Sequence, residues 1–300
     1  MAKYLVTGGA GFIGSHLVDA LVAEQHQVFV LDDLSNGNKK NLPKNITFYH
    51  DDISNESLVN QLIPEMDACF HLAAIPSIEK YNKDWLGTHR VNLSGTINIL
   101  NAARKRKTPI IYASSCAVYG DNPHLPLKES VLSQPLSSYG ADKLACEHQA
   151  TIASQLFGVP TLGLRFFNVY GARQDPKSPY SGVISIFIEH AIQNQSLPFF
   201  GDGKQTRDFI HIHDVVTACL AALKHCDTRA NIFNVCTGKQ QTLLELSEII
   251  ANVLEKKINC DFQPERAGDV KYSCGDPEKA FRELGFKSEI SLAQGLRLSL

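Results

Sequence analysis

No Cys-x-x-Cys pair, no apolar run long enough to span a bilayer, no excess of either charge and no repeat or low-complexity tract occurs in these 300 residues. Each absence removes a class of function. A membrane-spanning helix needs about 20 consecutive, mainly apolar residues, so no membrane partner is expected. With 29 Lys and Arg against 31 Asp and Glu, the formal net charge is −2, which gives no electrostatic reason to expect nucleic acid or an anionic lipid surface. The eight cysteines, at 69, 116, 146, 219, 226, 236, 260 and 274, lack paired metal or redox spacing. Cys69, Cys219 and Cys236 lie in apolar runs, as buried free thiols do. A reduced, cytoplasmic protein is the expectation. Met1 leads straight into a strand pattern, so no signal peptide is expected. No linker-like stretch interrupts the chain, which suits one large domain or two lobes sharing a core.

What is present begins at once. Lys3-Tyr4-Leu5-Val6-Thr7 is a short apolar run that ends in Gly8-Gly9-Ala10-Gly11-Phe12-Ile13-Gly14. An amphipathic helix pattern runs from Phe12 to about Glu24, and a second apolar run, Val28 to Leu31, ends in Asp32. Strand, glycine turn, helix, strand and acid in this order form a dinucleotide-binding unit. Gly8 allows the tight turn, Gly11 lets backbone approach a pyrophosphate, and Gly14 lets the helix pack on its strand. The pyrophosphate would rest on the N–H groups of the helix N-terminus, at Phe12 and Ile13. Asp32, about 20 residues on, would accept hydrogen bonds from the adenosine ribose and repel a 2′-phosphate, which favours NAD over NADP. The glycine spacing is Gly-x-x-Gly-x-x-Gly, so the acid after the second strand carries much of the inference.

Strand and helix patterns then alternate, predicting a doubly wound parallel sheet with helices on both faces. Asn36 falls in a polar loop beside the adenosine. Ile46–His50 reads as the third strand, followed by Asp51-Asp52-Ile53 at its carboxyl edge. Asp52 can serve the ligand there or cap the helix pattern of Asn55–Ile63, or both. Ala68–Ala74 is the fourth strand; Leu72, Ala73 and Ala74 leave room for a dinucleotide to pass. Trp85–Lys107 has the period of one long helix and carries Asn92 in an apolar-rich setting. The fifth strand, Pro109–Ala113, ends in Ser114-Ser115-Cys116. Ser137 opens a helix to about Phe157, and Val159–Phe166 is the sixth strand. Beyond it the alternation weakens.

Tyr139 and Lys143 stand four apart on that helix and share a face. A free phenol, with its pKa near 10, is too weak a base at neutral pH. A neighbouring ammonium and an oxidised nicotinamide favour the phenolate. Ser115, at a strand's carboxyl end, can hold a substrate oxygen and relay a proton. The pair alone is a common helix pattern; downstream of a nucleotide-binding unit and a strand-end serine it reads as a catalytic set. His211-x-His213-Asp214 has metal-ligand residue types, but a strand alternating into a helix cap accounts for it, and no metal is expected.

The chain resembles the extended short-chain dehydrogenase/reductases over essentially its full length. The glycine turn, Asp52-Ile53, His71-Leu72-Ala73-Ala74, Ser114-Ser115-Cys116-Ala117-Val118-Tyr119-Gly120, Tyr139 with Lys143, and Arg165-Phe166-Phe167-Asn168-Val169-Tyr170-Gly171 stand in that family's order. The resemblance implies tightly held NAD, a nucleotide-sugar substrate, and two lobes: 1–166 with 208–236 for NAD, and a smaller α/β lobe, 167–207 with 237–300, for the sugar nucleotide. It brings Asn168, Arg207 and Arg266 to the diphosphate and its ribose, and Val183 and Phe199 to the base. It also suggests a homodimer through the helices at 85–107 and 139–157.

Similar 4,6-dehydratases carry Asp-Glu where this chain has Cys116-Ala117, and similar UDP-glucuronate decarboxylases place Glu at the Ala117 position. Without a second acid or base, reversible oxidation at one carbinol remains. That implies a 4-epimerase working through a transient 4-keto sugar. A net nucleotide-sugar dehydrogenase and a non-catalytic nucleotide-binding protein are the alternatives. In similar 4-epimerases a gate position follows the motif that here reads Arg266-Ala267-Gly268-Asp269, with Asp269 counted among the substrate residues. Counted from Arg266 the gate is Ser273; a register one residue shorter makes it Tyr272. Plain-sugar epimerases put tyrosine there. Serine leaves space for an acetamido group, to which Ser77 could hydrogen-bond. The expected substrate pair is therefore UDP-N-acetylglucosamine and UDP-N-acetylgalactosamine, with UDP-glucose and a UDP-uronic acid as rivals.

Overall fold

Seven strands, all parallel, form the central sheet of the computed structural model, which describes residues 1–76, 78–176, 182–265 and 270–300. Six are β1 (Lys3–Thr7), β2 (Gln27–Asp32), β3 (Thr47–His50), β4 (Ala68–His71), β5 (Ile110–Ser115) and β6 (Thr161–Phe166); the seventh is Asn231–Val235. Their spatial order is Asn231–Val235, β6, β5, β4, β1, β2, β3. The order reverses between β1 and β4, which pair from Tyr4 with Ala68 to Thr7 with His71. Ligands of doubly wound sheets bind in the crevice beyond the carboxyl ends at such a reversal.

The strands are near-continuous apolar runs because both faces are covered. One face is packed by Phe12–Ala23 and Ile212–His225, around Leu17, Leu21, Val215 and Cys219. The other is packed by Glu56–Leu62, Gly95–Ala103 and Ser138–Phe157, around Val59, Ile99, Leu100 and Ala150. Ser138–Phe157 is capped by the Ser137 side chain, which accepts from Gly140 N, and it stops at Gly158 in the left-handed region.

A separate core holds Tyr170, Ile184, Phe187, Leu197, Phe199, Leu246 and Leu296. Three two-stranded pieces surround it: Asn168–Tyr170 with Phe209–His211, Thr206–Arg207 with Gln241–Thr242, and Leu197–Phe200 with Cys260–Gln263. No helix among the described residues is long and apolar enough to cross a membrane.

The expected single helix at 85–107 is broken into Trp85–His89, a wide π-turn at Arg90–Ser94, and Gly95–Ala103. The cause lies at Asn92. Its carbonyl accepts from Thr96 Oγ1 (2.6 Å) and Cys146 Sγ (3.4 Å), so side chains draw it out of regular helical pairing.

Candidate active site

A cleft of about 1120 Å³ opens over the carboxyl ends of β1, β4 and β5. Its floor is the glycine turn. Gly8 has φ +68°, and a Cβ there would sit 2.7 Å from Ala73 N. A Cβ on Gly14 would lie 2.2 Å from Gly8 O, so only glycine lets the helix close on the turn. A Cβ on Gly11 would meet only Gly8 O, at 3.2 Å. Gly11 begins helix Phe12–Ala23 with no side-chain cap, leaving the first-turn N–H groups turned to the cleft.

Asp32 closes the far end and is only 7% exposed. Its carboxylate accepts from Ala10 N (2.9 Å) and Leu34 N (2.8 Å). Burial pushes its pKa up, and those two bonds oppose the shift. Each oxygen keeps lone-pair capacity for a ribose hydroxyl. Phe12, Ile13, Asn36, Asp52, Ile53, Leu72, Ala73 and Ala74 line the same cleft. Asp52 is not the helix cap; Asn55 is, accepting from Leu58 N, while Asp52 Oδ1 turns back to Ser54 N.

Tyr139, Lys143 and Ser115 meet at the other end. Ser115 Oγ accepts from Ala117 N (3.1 Å) and shares a hydrogen bond with the Tyr139 phenol. Lys143 Nζ donates to Ala113 O (2.9 Å) and lies 5.8 Å from the Tyr139 ring centroid. Burial pushes the Tyr139 phenol up, with the Ser115 bond opposing, and pulls the Lys143 ammonium down. Burial thus favours the neutral phenol, and the positive charges of Lys143 and of an oxidised nicotinamide would act against it.

Asn168 also lines the cleft, and its Oδ1 is buried without a hydrogen-bond partner among the described residues. A buried acceptor left open beside a cradle that admits no Cβ is what a bound polar ligand would complete. The donor set, a bare helix N-terminus at one end and a ribose-accepting carboxylate at the other, fits NAD.

Other expected site residues fall elsewhere. Asn92 is 1% exposed and does not reach the cleft. Its side chain accepts from Ile75 N (2.7 Å) and donates to Ile75 O (2.9 Å), so it fixes a stretch of cleft wall instead. Phe199 does not face a base; it is fully buried, 5.0 Å from Phe187 and 5.2 Å from Phe262. Strand alternation turns Leu197 and Phe199 inward and leaves Pro198 and Phe200 on the other side. Val183 starts helix Val183–Ile192 and packs on the separate core, next to cleft-lining Gly182.

Arg207 Nη1 donates to Thr206 O (2.8 Å), and its charge opposes the burial that pushes the nearby Cys116 thiol up to about 11. Ser273 is buried, and its neighbours Cys274 and Gly275 are held by Asp208. Ser77, Arg266 and Asp269 lie outside the described residues. His211 caps Ile212–His225, accepting from His213 N through Nδ1 (3.3 Å), and Asp214 accepts from Glu289 N and Ile290 N.

Sequence reasoning missed Arg173, Gln174 and Asp175, which also line the cleft. Arg173 pairs with Asp19 (2.7 Å), tying this loop to the dinucleotide helix. Their only signal was position, directly after the Asn168–Gly171 motif.

Comparison with known proteins agrees with this geometry. The pattern of the NAD dependent epimerase/dehydratase family matches residues 4–236. A Methanocaldococcus jannaschii protein, provisionally named a UDP-glucose 4-epimerase, is 40% identical over 296 residues, covering 98% of this chain and 95% of the relative. The Thermotoga maritima UDP-glucose 4-epimerase, solved with UDP-glucose, superposes with a TM-score of 0.95 at 34% identity, covering 99% of this chain and 97% of that one. The Methanobrevibacter ruminantium UDP-N-acetylglucosamine 4-epimerase, solved with UDP-N-acetylmuramic acid, gives a TM-score of 0.94 at 35% identity, covering 99% and 96%.

Proposed function

This chain belongs to the NAD-dependent epimerase/dehydratase family, and from that premise we propose that it interconverts UDP-N-acetylglucosamine and UDP-N-acetylgalactosamine by inversion at C4. Its standing as an NAD-dependent isomerase of nucleotide sugars follows from the family and the relatives. Bound NAD supplies the reversible hydride acceptor and, when oxidised, a positive charge beside the phenol. The chain does the rest. Tyr139 takes the proton of the 4-hydroxyl and later returns one to the 4-keto oxygen, after the turned sugar has presented its other face to the hydride. Ser115 holds the sugar oxygen, and the buried Lys143 stabilises the phenolate. For the sugar to turn over, the diphosphate must be gripped and the ring left loose. We assign that grip to Asn168, which lines the cleft, and to Arg207, in a sugar-nucleotide lobe drawn from residues 167–207 and 237–300, although Ala280, Leu284 and Phe286 pack on the sheet core. Cys116 and Ala117 offer no second acid.

One observation carries the choice of sugar. Ser273 is 7% exposed, whereas Tyr272 is 44% exposed, with Lys271 Nζ 5.9 Å from its ring. The small residue is the inward one, which favours the register that leaves room for an acetamido group. The segment after it pairs with Leu127 and is bound by Asp208, close to Cys116 and Arg207. UDP-glucose is the second reading, favoured by the names of the Methanocaldococcus and Thermotoga relatives. Wild type should show the higher kcat/KM for UDP-N-acetylglucosamine. Ser273→Tyr should lose that activity and keep more of the activity on UDP-glucose. A wild type inert towards the acetylated sugar, or a variant of unchanged preference, would end this reading.

We also propose a cytoplasmic homodimer. Trp85, Leu86, Ile97, Ile152 and Leu156 are exposed on the helices flanking Asn92 and on the Tyr139 helix, with Trp85 at 68% and Leu156 at 72%. A partner copy would cover them. Light scattering at micromolar concentration should give twice the chain mass; a monomer there rejects the dimer.

A further inference from the structure

Lys143 is a buried ammonium whose charge must be maintained by its surroundings. Two carboxylates on its own helix, Asp142 and Glu147, favour its charged form against the burial that disfavours it, and they differ in their own partners. Glu147 is already compensated. Arg165 grips both its oxygens, Nε to Oε1 at 2.8 Å and Nη2 to Oε2 at 2.7 Å, and Ser114 Oγ adds a bond at 2.5 Å. Asp142 is as well buried, at 6% exposed. Its partners among the described residues are the Tyr81 phenol (2.7 Å to Oδ2) and His89 Nδ1 (2.9 Å to Oδ1). Tyr81 is neutral, since burial and the Asp142 carboxylate both push its pKa up. His89 is a cation only when protonated. Glu147 is thus engaged by a permanent cation, whereas Asp142 meets a phenol and an imidazole.

The same carboxylate also has a mechanical connection. Tyr81, fixed by Asp142, presents its ring edge-on to Tyr139, with centroids 6.4 Å apart at 67°. The Tyr81 hydroxyl also accepts from Asn92 Nδ2 (2.6 Å), and Asn92 holds Ile75 in the cleft wall.

We propose that Asp142 is a positioning residue that sets the pH range of the Tyr139–Lys143 pair, as the anchor that seats Tyr81 against Tyr139 and as an anion on the Lys143 helix that no arginine among the described residues grips. The inference rests on the assignment of Tyr139 and Lys143 made above. Other titratable or charged residues on the packed elements are Glu79, Lys80 and Lys83 on the helix of Tyr81, Arg90 beside His89, Tyr112 on β5, Cys69 and His71 on β4, and Cys146 and His148 on the Lys143 helix. His71 is held neutral by burial, its pKa pulled down to about 3, and Cys146 is pushed up by burial. Neither replaces the charge of Asp142.

The sign follows from the charge. A nearby anion favours the ammonium, so Asp142 moves the loss of the Lys143 proton to higher pH. Removing the anion brings that loss to lower pH, and the alkaline limb of the kcat/KM profile should move with it. Asp142→Asn keeps the size and part of the hydrogen bonding. A shift of one pH unit is expected, so that above the optimum the variant loses about tenfold more activity than wild type does at the same pH. Near the optimum KM should barely change, and Asp142→Glu should restore the wild-type limb. If Asp142→Asn does not fold, Tyr81→Phe with Asp142→Ala removes the carboxylate together with its phenol donor and should show the same displacement.

Superimposable pH profiles, or a loss equal at every pH, would overturn the proposal, since a merely structural role moves no limb. Tyr139→Phe in the same assay separates the two levels. Undiminished turnover there refutes the catalytic assignment itself, whereas an inactive Tyr139→Phe beside an unmoved Asp142→Asn profile refutes only the role of Asp142.

Discussion

Tyr139→Phe is expected to lower epimerisation by about 10²–10⁴-fold, the usual contribution of a positioned acid–base group, while bound NAD and the fold stay intact. The phenol oxygen touches Ser115 and is not among the groups that hold the sheet together. The ring, kept by phenylalanine, preserves the edge contact with Tyr81. The effect should fall on kcat more than on KM, because the proton moves in the chemical step and the ground-state sugar loses a single hydrogen bond. Steady-state kinetics on the sugar, together with mass analysis of cofactor released on denaturation, gives both readouts. Near-normal turnover with NAD present would remove Tyr139 from the mechanism. A rate loss accompanied by loss of NAD would show that the substitution acted on binding.

How much of this site the sequence discloses depends on how local its chemistry is. The glycine turn is legible because three glycines and the later acid answer to steric demands within one βαβ unit, and the close contacts at Gly8 and Gly14 are those demands. Tyr139 and Lys143 are legible because a helix puts residues four apart on one face. Phe199 was assigned to the base by resemblance alone; its packing against Phe187 and Phe262, which makes it core, is a tertiary fact that no local pattern shows.

Asn92 was recognised as unusual, but the two bonds to Ile75 that give it its task bridge 17 residues of sequence. The contact between Tyr81 and Asp142 spans 61 residues. The helix Ile78–Lys83 that carries Tyr81 is only six residues long and mostly polar, too short for an apolar period to announce it. The π-turn at Arg90–Ser94 is equally silent, because its cause is a pair of donors on Thr96 and Cys146, the second of them on another helix.

Glu147→Leu should cost about 3–5 kcal/mol of stability, the usual result of leaving one member of a buried ion pair alone. Arg165 would be the stranded partner. It sits on β6 with its side chain 5% exposed, its guanidinium is 4.7 Å from the Tyr119 ring centroid, and it makes one further bond to Glu129 O (3.3 Å). Those contacts do not replace a carboxylate that met it at two points. The pair also bears on function, because Glu147 lies one turn beyond Lys143 and takes the Ser114 hydroxyl beside Ser115. It ties the helix of Tyr139 to the strand of Ser115 and to the strand that leads into Asn168.

At about 2–4 °C per kcal/mol for a chain approaching this size, the melting temperature should fall by roughly 6–20 °C. The informative comparison is Glu147→Leu with Arg165→Met in the same chain. If the cost of the single change is an uncompensated charge, removing both charges should recover most of the loss, since a buried pair and an apolar pair of similar volume are often close in stability. If the double variant is no more stable than the single one, packing around the pair carries the stability. A single variant within about 1 °C of wild type would mean the pair counts for no more than an exposed salt bridge.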